Sequence, residues 1–318
     1  NNSWRGFTIY GQSIFKYCIF SRVFGYNIFF NQNGSYLDVE KCTFFDNNAQ
    51  MTWLAYSNNH SIRMSNIIEN TAIEFTNNHS SYNYSDCNFI NNFGGASNYT
   101  GQASGPMDFY VATSQFTNNN MFNNMFNGIG IEPLSMKYRN SSNGTLVNPN
   151  YFGSSLTETN DLRIIDFFEN PQYGILTANY ALSPSSASNA LVWKVEIDGV
   201  DAQDEYELLE PVGVGSYEFK VYFNRAMDTT VDPQISYGVI FPYNQQIISE
   251  QGTWSADGKI YTVNHDVGVS NGDTNNVGTS DGINRIRVQG ARDLDYFDIP
   301  VEDSRFNFLL QSAGSSST

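Results

Sequence analysis

The sequence predicts an all-β chain in two parts, a coiled stack of short parallel strands followed by an antiparallel sandwich. Three observations predict it. Composition changes sharply near the middle of the chain, a short motif recurs about every 24 residues in the first half, and the second half reads as alternating strands parted by turn signals.

The 318 residues are enough for two sizeable cores. Up to about residue 150 roughly one residue in five is Asn, interleaved with Phe and Tyr; beyond about residue 190 Asp, Glu, Val and Ile take over. The formal net charge of −16 argues against nucleic acid and anionic membranes, both of which bind through Lys and Arg clusters. No apolar run reaches the ~18–20 residues that span a bilayer, so no membrane insertion is expected within this segment. The chain opens without Met and ends in a Ser-rich run, as a segment of a longer protein would.

The repeat comes from the cysteines. Tyr17-Cys18-Ile19-Phe20, Lys41-Cys42-Thr43-Phe44 and Asp86-Cys87-Asn88-Phe89 share a frame, into which Asn66-Ile67-Ile68 and Ser114-Gln115-Phe116 are fitted. Key positions 18, 42, 66, 87 and 114 then define one inward column with steps of about 24, 24, 21 and 27 residues, a solenoid period. Alternation at period two, as in Phe15, Tyr17 and Ile19, indicates strands. Four or five residues past each key position stand Asn47, Asn70, Asn91 and Asn92, and Asn118 and Asn119, where stacked amides can bond from coil to coil and where a left-handed corner is tolerated. The three cysteines are an odd set and read as small buried residues, unpaired.

These residues resemble the right-handed parallel β-helix repeat proteins of bacterial and archaeal cell surfaces. CTFFDNN at 42–48 and CNFINN at 87–92 look like their coil consensus. NPNYFGSS at 148–155 and the tract at 162–184 look like their closing segment, with Phe152 where the family usually has Trp. The resemblance spans about residues 10–185 and implies a fold rather than a chemistry.

In the second half Trp193, Val195 and Ile197 share one strand face, and Tyr217, Phe219, Val221 and Phe223 share another. Asp198-Gly199, Asp257-Gly258 and Asp281-Gly282 supply tight turns. Further strands are expected near 234–241, 246–254, 259–264, 283–289 and 305–310, giving the seven of an immunoglobulin-like β-sandwich. VYFNRAMDTTVDPQISYG at 221–238, TWSADGKIYTV at 253–263 and INRIRVQGARD at 283–293 resemble bacterial immunoglobulin-like domains, which implies a spacer module with Met227 and Trp254 in the packing. The expected organisation is a β-helix with its closing segment over 1–187, a sandwich over 188–311 and a Ser-rich tail or linker over 312–318.

Candidate chemistry is sparse. Asn-Xaa-Ser/Thr acceptors begin at Asn1, Asn33, Asn59, Asn78, Asn83, Asn98, Asn140 and Asn143, against about 4–5 expected by chance from this composition. They fit a glycosylated outer surface. A lyase of this fold needs clustered carboxylates for Ca²⁺ and a basic residue, and a hydrolase needs an acid and base pair on neighbouring coils. The only close carboxylate pair before residue 148 is Asp38 and Glu40, which share one strand face beside Lys41 and read as a solvated surface. His60 and His79 sit in turn-like Asn-His-Ser and have no third ligand at zinc spacing. Calcium is the one candidate cofactor, at Asp273, Asn275 and Asp281 in the long loop 266–281, although the spacing matches an EF-hand poorly.

The function expected is that of a noncatalytic extracellular structural or adhesive protein at the cell surface, a surface-layer or filament component partnered by like chains in a homopolymeric assembly. Two alternatives accompany it. One is a secreted polysaccharide lyase or glycoside hydrolase with an accessory sandwich; the other is a glycan-binding adhesin using aromatics such as Trp53 and Tyr56.

Overall fold

A computed structural model describes residues 6–31, 35–54, 60–71, 82–94, 108–109, 116–126, 136–138, 143–203, 210–239, 246–268 and 281–312. The chain divides into two compact units, Asn1–Asn189 and Ala190–Thr318.

The first unit is a parallel β-helix. One face stacks the strands Gln12–Lys16, Tyr36–Glu40, His60–Arg63, Tyr82–Ser85 and Phe116–Thr117, and a second stacks Ile19–Ser21, Thr43–Phe45, Asn66–Ile68, Asn88–Ile90 and Asn120–Phe122, with every pairing parallel. A third face carries Phe7–Ile9, Phe24–Asn31 and Asn48–Leu54. Because side chains alternate along a strand, each coil sends one set inward. Phe20, Phe44, Ile67, Phe89 and Met121 stack in one buried column, and Phe15, Val39, Ile62, Tyr84 and Phe116 in another. Phe20 lies on Phe44 at 4.8 Å, which is the strand spacing itself. Full burial of each such ring stabilises the stack by roughly 2–3 kcal/mol.

Each coil turns twice at left-handed corners around the second face. Tyr17, Lys41, Met64, Asp86 and Asn118 form one series of positive-φ residues, and Arg22, Asp46, Glu69, Asn91 and Asn123 the other, all between 47° and 56°. For a residue with a Cβ this backbone costs about 1–2 kcal/mol. The offset comes from the next residue in each case. After the second corner, Asn47, Asn70, Asn92 and Asn124 form a buried ladder. The Asn47 side-chain nitrogen donates to Asn70 Oδ1 at 2.9 Å and to the Phe20 carbonyl at 2.8 Å, and its backbone nitrogen donates to Asn70 Oδ1 at 3.1 Å. Asn70 and Asn92 repeat the arrangement toward Asn92 and Asn124.

After the first corner the column is Cys18, Cys42, Ser65, Cys87, Asn119 and Asn150, shown by bonds from the backbone nitrogens of Cys18, Cys42, Cys87 and Asn119 to the side chain one coil on and, between Ser65 and Cys87, by the register of the strands that follow them. This corrects the repeat frame in two places. Position 66 is outward, with Ser65 in the column, and position 114 is replaced by Asn119. The true steps are 24, 23, 22, 32 and 31 residues. The longer coil includes residues 95–107 and 110–115, which lie outside the described residues. Asn118 and Asn119 accordingly belong to the first corner, not to the ladder of Asn47. All three cysteines are free.

The stack closes at Tyr151 and Phe152, both buried, followed by the short helix Thr157–Asp161. Phe152 packs edge-on against Tyr180 at 5.5 Å. Asp166 is buried and accepts the backbone N–H of Phe168 and Leu176, fixing the return loop. Residues 185–189 then strap the second face: Asn66, Asn88 and Asn120 form an outward amide row whose free bonds go to Asn189, Ser188 and Ser185.

The second unit is an antiparallel sandwich. One sheet orders Val200–Asp201, Val192–Ile197, Gly215–Phe223, Ile260–Val267 and Thr253–Trp254; the other orders Gln246–Ile247, Gln234–Gly238, Gly282–Gln289 and Asn307–Leu310. Val195, Phe219, Val221 and Val263 meet Tyr237, Ile286, Val288 and Phe308 in the core. The single strand expected over 246–254 is two short ones in different sheets. The chain crosses between them at Gly252, where a Cβ would stand 2.5 Å from the Thr262 carbonyl oxygen and from the Tyr261 ring. Met227 is buried, and Trp254 packs on Phe223 at 5.4 Å while its indole N–H donates to Asp232. Ser312 is buried and donates through both its backbone nitrogen and its hydroxyl to Asp281 Oδ1. No helix among the described residues is long and apolar enough to cross a membrane.

Candidate binding face on the coil stack

On the first face of the β-helix, Leu37 and Val39 point inward, so Tyr36, Asp38 and Glu40 point outward. Register sets their neighbours. Glu40 lies in the row Lys16, Glu40, Arg63, Ser85, Thr117, and Asp38 in the row Ile14, Asp38, Ser61, Asn83. Lys16 reaches Glu40 at 2.7 Å, while the Arg63 guanidinium holds Glu40 at 3.0 Å and Asp38 Oδ2 at 3.1 Å. Lys41, the neighbour in sequence, instead turns toward the Tyr17 ring at 5.7 Å. The carboxylate pair is therefore a cross-coil ion network. Hydrogen bonds from Lys16 and then Arg63 outweigh burial and hold the Glu40 carboxyl below its ordinary value; Glu40 in turn raises Lys16 and Arg63.

Arg63 was invisible as a partner in the sequence because it lies 23 and 25 residues from the two acids. Only the corrected coil register joins them. Asp38 is 8% exposed and Ser61 9%, and neither Asp38 Oδ1 nor Ser61 Oγ has a hydrogen-bond partner.

The glycan acceptors divide simply. Asn83 and Asn143 are exposed; Asn83 stands on an outward strand position, and Asn143 Oδ1 accepts the Ile175 N–H at 3.0 Å. Asn1, Asn33, Asn59, Asn78, Asn98 and Asn140 lie outside the described residues, as do His79, Tyr56 and the side chains of Trp53 and His60. Of the candidate calcium ligands, Asp273 and Asn275 lie outside as well, and Asp281 Oδ1 is engaged by Ser312. Among the described residues no three His, Cys, Asp or Glu side chains cluster as a metal site.

The sandwich holds an arrangement that sequence reading missed. Tyr237 Oη lies 3.0 Å from His265 Nε2, and His265 Nδ1 lies 2.9 Å from Glu250 Oε2. With Nδ1 protonated toward Glu250, Nε2 accepts the Tyr237 hydroxyl proton. The order of groups matches an acid, base and hydroxyl relay, but Tyr237 is 1% exposed between the sheets and burial pushes its hydroxyl up to about 12. The chain of bonds works as a polar cross-link through the core. Period-two alternation in YTVNHDV places His265 inward with Val263 and Val267, which was the available signal.

Comparisons with known protein families, curated proteins and solved structures found no match.

Proposed function

We propose that this chain is a noncatalytic extracellular structural or adhesive protein of the cell surface, surface-layer or filament type, with the coil stack as a rigid spacer and the sandwich as a module joined to it. The observation that carries this reading is the ion network on Asp38 and Glu40. A glycosidase of two carboxylates needs one whose carboxyl is raised so that it can serve as the acid, whereas hydrogen bonds from Lys16 and Arg63 lower the Glu40 carboxyl and Arg63 also pairs with Asp38. The interior polar groups are likewise spent on coil-to-coil ladders, which favours stiffness. Exposed acceptors at Asn83 and Asn143 support the extracellular, glycosylated part of the proposal. Like chains are the proposed partners, and calcium the one cofactor proposed, at the loop containing Asp281.

The test is incubation with uronic-acid and neutral polysaccharides, read for new unsaturated or reducing ends. None are expected. Sustained turnover on any of them overturns the noncatalytic reading, and failure of surface labelling on intact source cells overturns the extracellular one.

A further inference from the structure

We infer that the outer face of the second sheet of the sandwich, at Arg285 and Arg287, binds an acidic polysaccharide, a chain whose sugars carry carboxylates. Three observations converge on it. The first is the state of the two arginines. In the strand Gly282–Gln289, Asn284, Ile286 and Val288 are buried between the sheets, so Arg285 and Arg287 point outward, the one exposed and the other half-buried. Neither guanidinium makes a hydrogen bond or an ion pair among the described residues. Each of the other described arginines holds a carboxylate or, at Arg163, the Phe152 carbonyl. The Arg287 Nε is enclosed, which leaves the terminal nitrogens as the part open to a ligand.

The second observation is charge. Across the register the two arginines meet Ser236, Gly238 and Asn307, none of them ionisable. Burial pushes the carboxyl of nearby Asp303 up against the pull of both arginines, and it forms an ion pair with neither. The face is therefore cationic in a chain of net charge −16. On the outer face of the opposite sheet Glu196, Asp201 and Glu218 are matched by Lys194 and Lys220. Packed sheets stand about 10 Å apart, more than the Debye length of about 8 Å at physiological salt, so those acids do little to repel an anion docked here.

The third is layout. Two residues apart on one strand face, the arginines are set about 6.8 Å from each other, twice the rise per residue. A guanidinium is a planar fork that takes a carboxylate through two parallel bonds. Two forks at a fixed spacing on a rigid sheet suit carboxylates repeated along an extended chain. Ile283, 62% exposed, continues the outward row before Arg285, and half-buried Asn307 lies across from Arg285. They offer an apolar surface and an amide to the ring and hydroxyls of a sugar, which an acidic peptide would leave unused. A nucleic acid needs a longer row of cations than this face supplies.

The inference rests on the adhesive part of the proposed function and deepens it by naming a ligand class. Its test is titration of the full chain with hexagalacturonate and hexamannuronate by calorimetry at low salt, with cellohexaose and hexaglutamate as neutral and peptide comparators. At least one uronate hexamer is expected to bind at millimolar concentration or below and to weaken as salt is raised. Arg285→Gln and Arg287→Gln should each weaken it about tenfold, the loss expected for a hydrogen bond to a charged group. Asp303→Asn should leave binding as tight or tighter, and Arg22→Gln on the coil stack should change nothing. If a glutamine variant shifts the melting curve, Arg285→Lys and Arg287→Lys, which keep the charge and lose the fork, are expected to weaken binding in its place. Absence of binding by both uronate hexamers overturns the inference, as does binding that survives the variants at both arginines or equal binding of cellohexaose or hexaglutamate. Cleavage of a bound hexamer would sink the noncatalytic reading while leaving the site intact; absent binding without turnover sinks the site alone.

Discussion

Asn70 Oδ1 accepts two hydrogen bonds from Asn47, one from its backbone nitrogen at 3.1 Å and one from its side-chain amide at 2.9 Å. Both lone pairs of that oxygen are used, and the Asn70 amide sends its own two protons to Phe44 and to Asn92. No other side chain of this size offers two donors and a doubly accepting oxygen in one plane.

Asn70→Ala therefore leaves the Asn47 amide and the Phe44 carbonyl unpaired in a site with no solvent access. A loss of about 3 kcal/mol is expected, at the upper end of what buried unsatisfied groups cost. Asn83→Ala, on the exposed face, should stay within about 0.5 kcal/mol. Urea midpoints of the two variants at constant slope decide between them; equal midpoints would mean that the ladder is incidental.

Alkylation should separate the cysteines. Cys87 is fully enclosed and burial pushes its thiol up to about 12; burial raises Cys42 to about 11. Cys18 is only half-buried. Iodoacetamide under native conditions should modify Cys18 first, with Cys42 and Cys87 reacting only on unfolding. Peptide mass spectrometry showing early label at Cys87 contradicts the column.

Gly252→Ala should destabilise the sandwich by about 2–3 kcal/mol, the range for forcing an atom into packed surroundings. The added Cβ would meet a backbone oxygen and a buried ring, neither of which can swing aside. A differential scanning trace in which this variant melts with the native chain would show that the crossing relaxes.

The architecture was legible because its signals are periodic and local. Cysteine spacing, Asn after each coil and alternation in WKVEI or YEFKVYF each follow from strand geometry. What failed was alignment where the chemistry of a position changes. The column substitutes Ser65 and Asn119 for Cys, so a frame anchored on cysteine slid by one residue at 66 and by five at 114. The left-handed corners were harder still. Tyr17, Arg22, Met64 and Glu69 have no preference for positive φ and adopt it because the coil above and below dictates it. The ion network on the outward face needed that register before Arg63 could be seen beside Asp38.

Acid should act on the sandwich through Glu250. Burial pushes its carboxyl up, but the hydrogen bond from His265 outweighs that and holds it below its ordinary 4.5. A depressed carboxyl stabilises the fold above its unfolded value, and that contribution is lost as pH falls through the folded one. Glu250→Gln should thus be less stable than the native chain at pH 7 and approach it below about pH 4.5. The gap should be under about 1 kcal/mol, because the Glu250 side chain is 41% exposed and water screens the pair. A constant gap across pH 3–7 would assign the effect to packing.

The assembly proposed above is tested on apolar side chains that the coil stack turns outward. Ile14 is 54% exposed, Tyr17 67% and Ile19 76%, and large apolar groups left in water favour a contact that covers them. A second copy of the chain packed over them would cover all three together. The native chain is therefore expected to sediment with a concentration-dependent increase in mass, and Ile14→Lys with Ile19→Lys to hold it at the monomer value. Both substitutions sit at exposed outward positions, so the fold should survive them and a loss of association can be read as a loss of contact. Monomeric behaviour of the native chain at every concentration, unchanged by the two lysines, removes like chains as the partner.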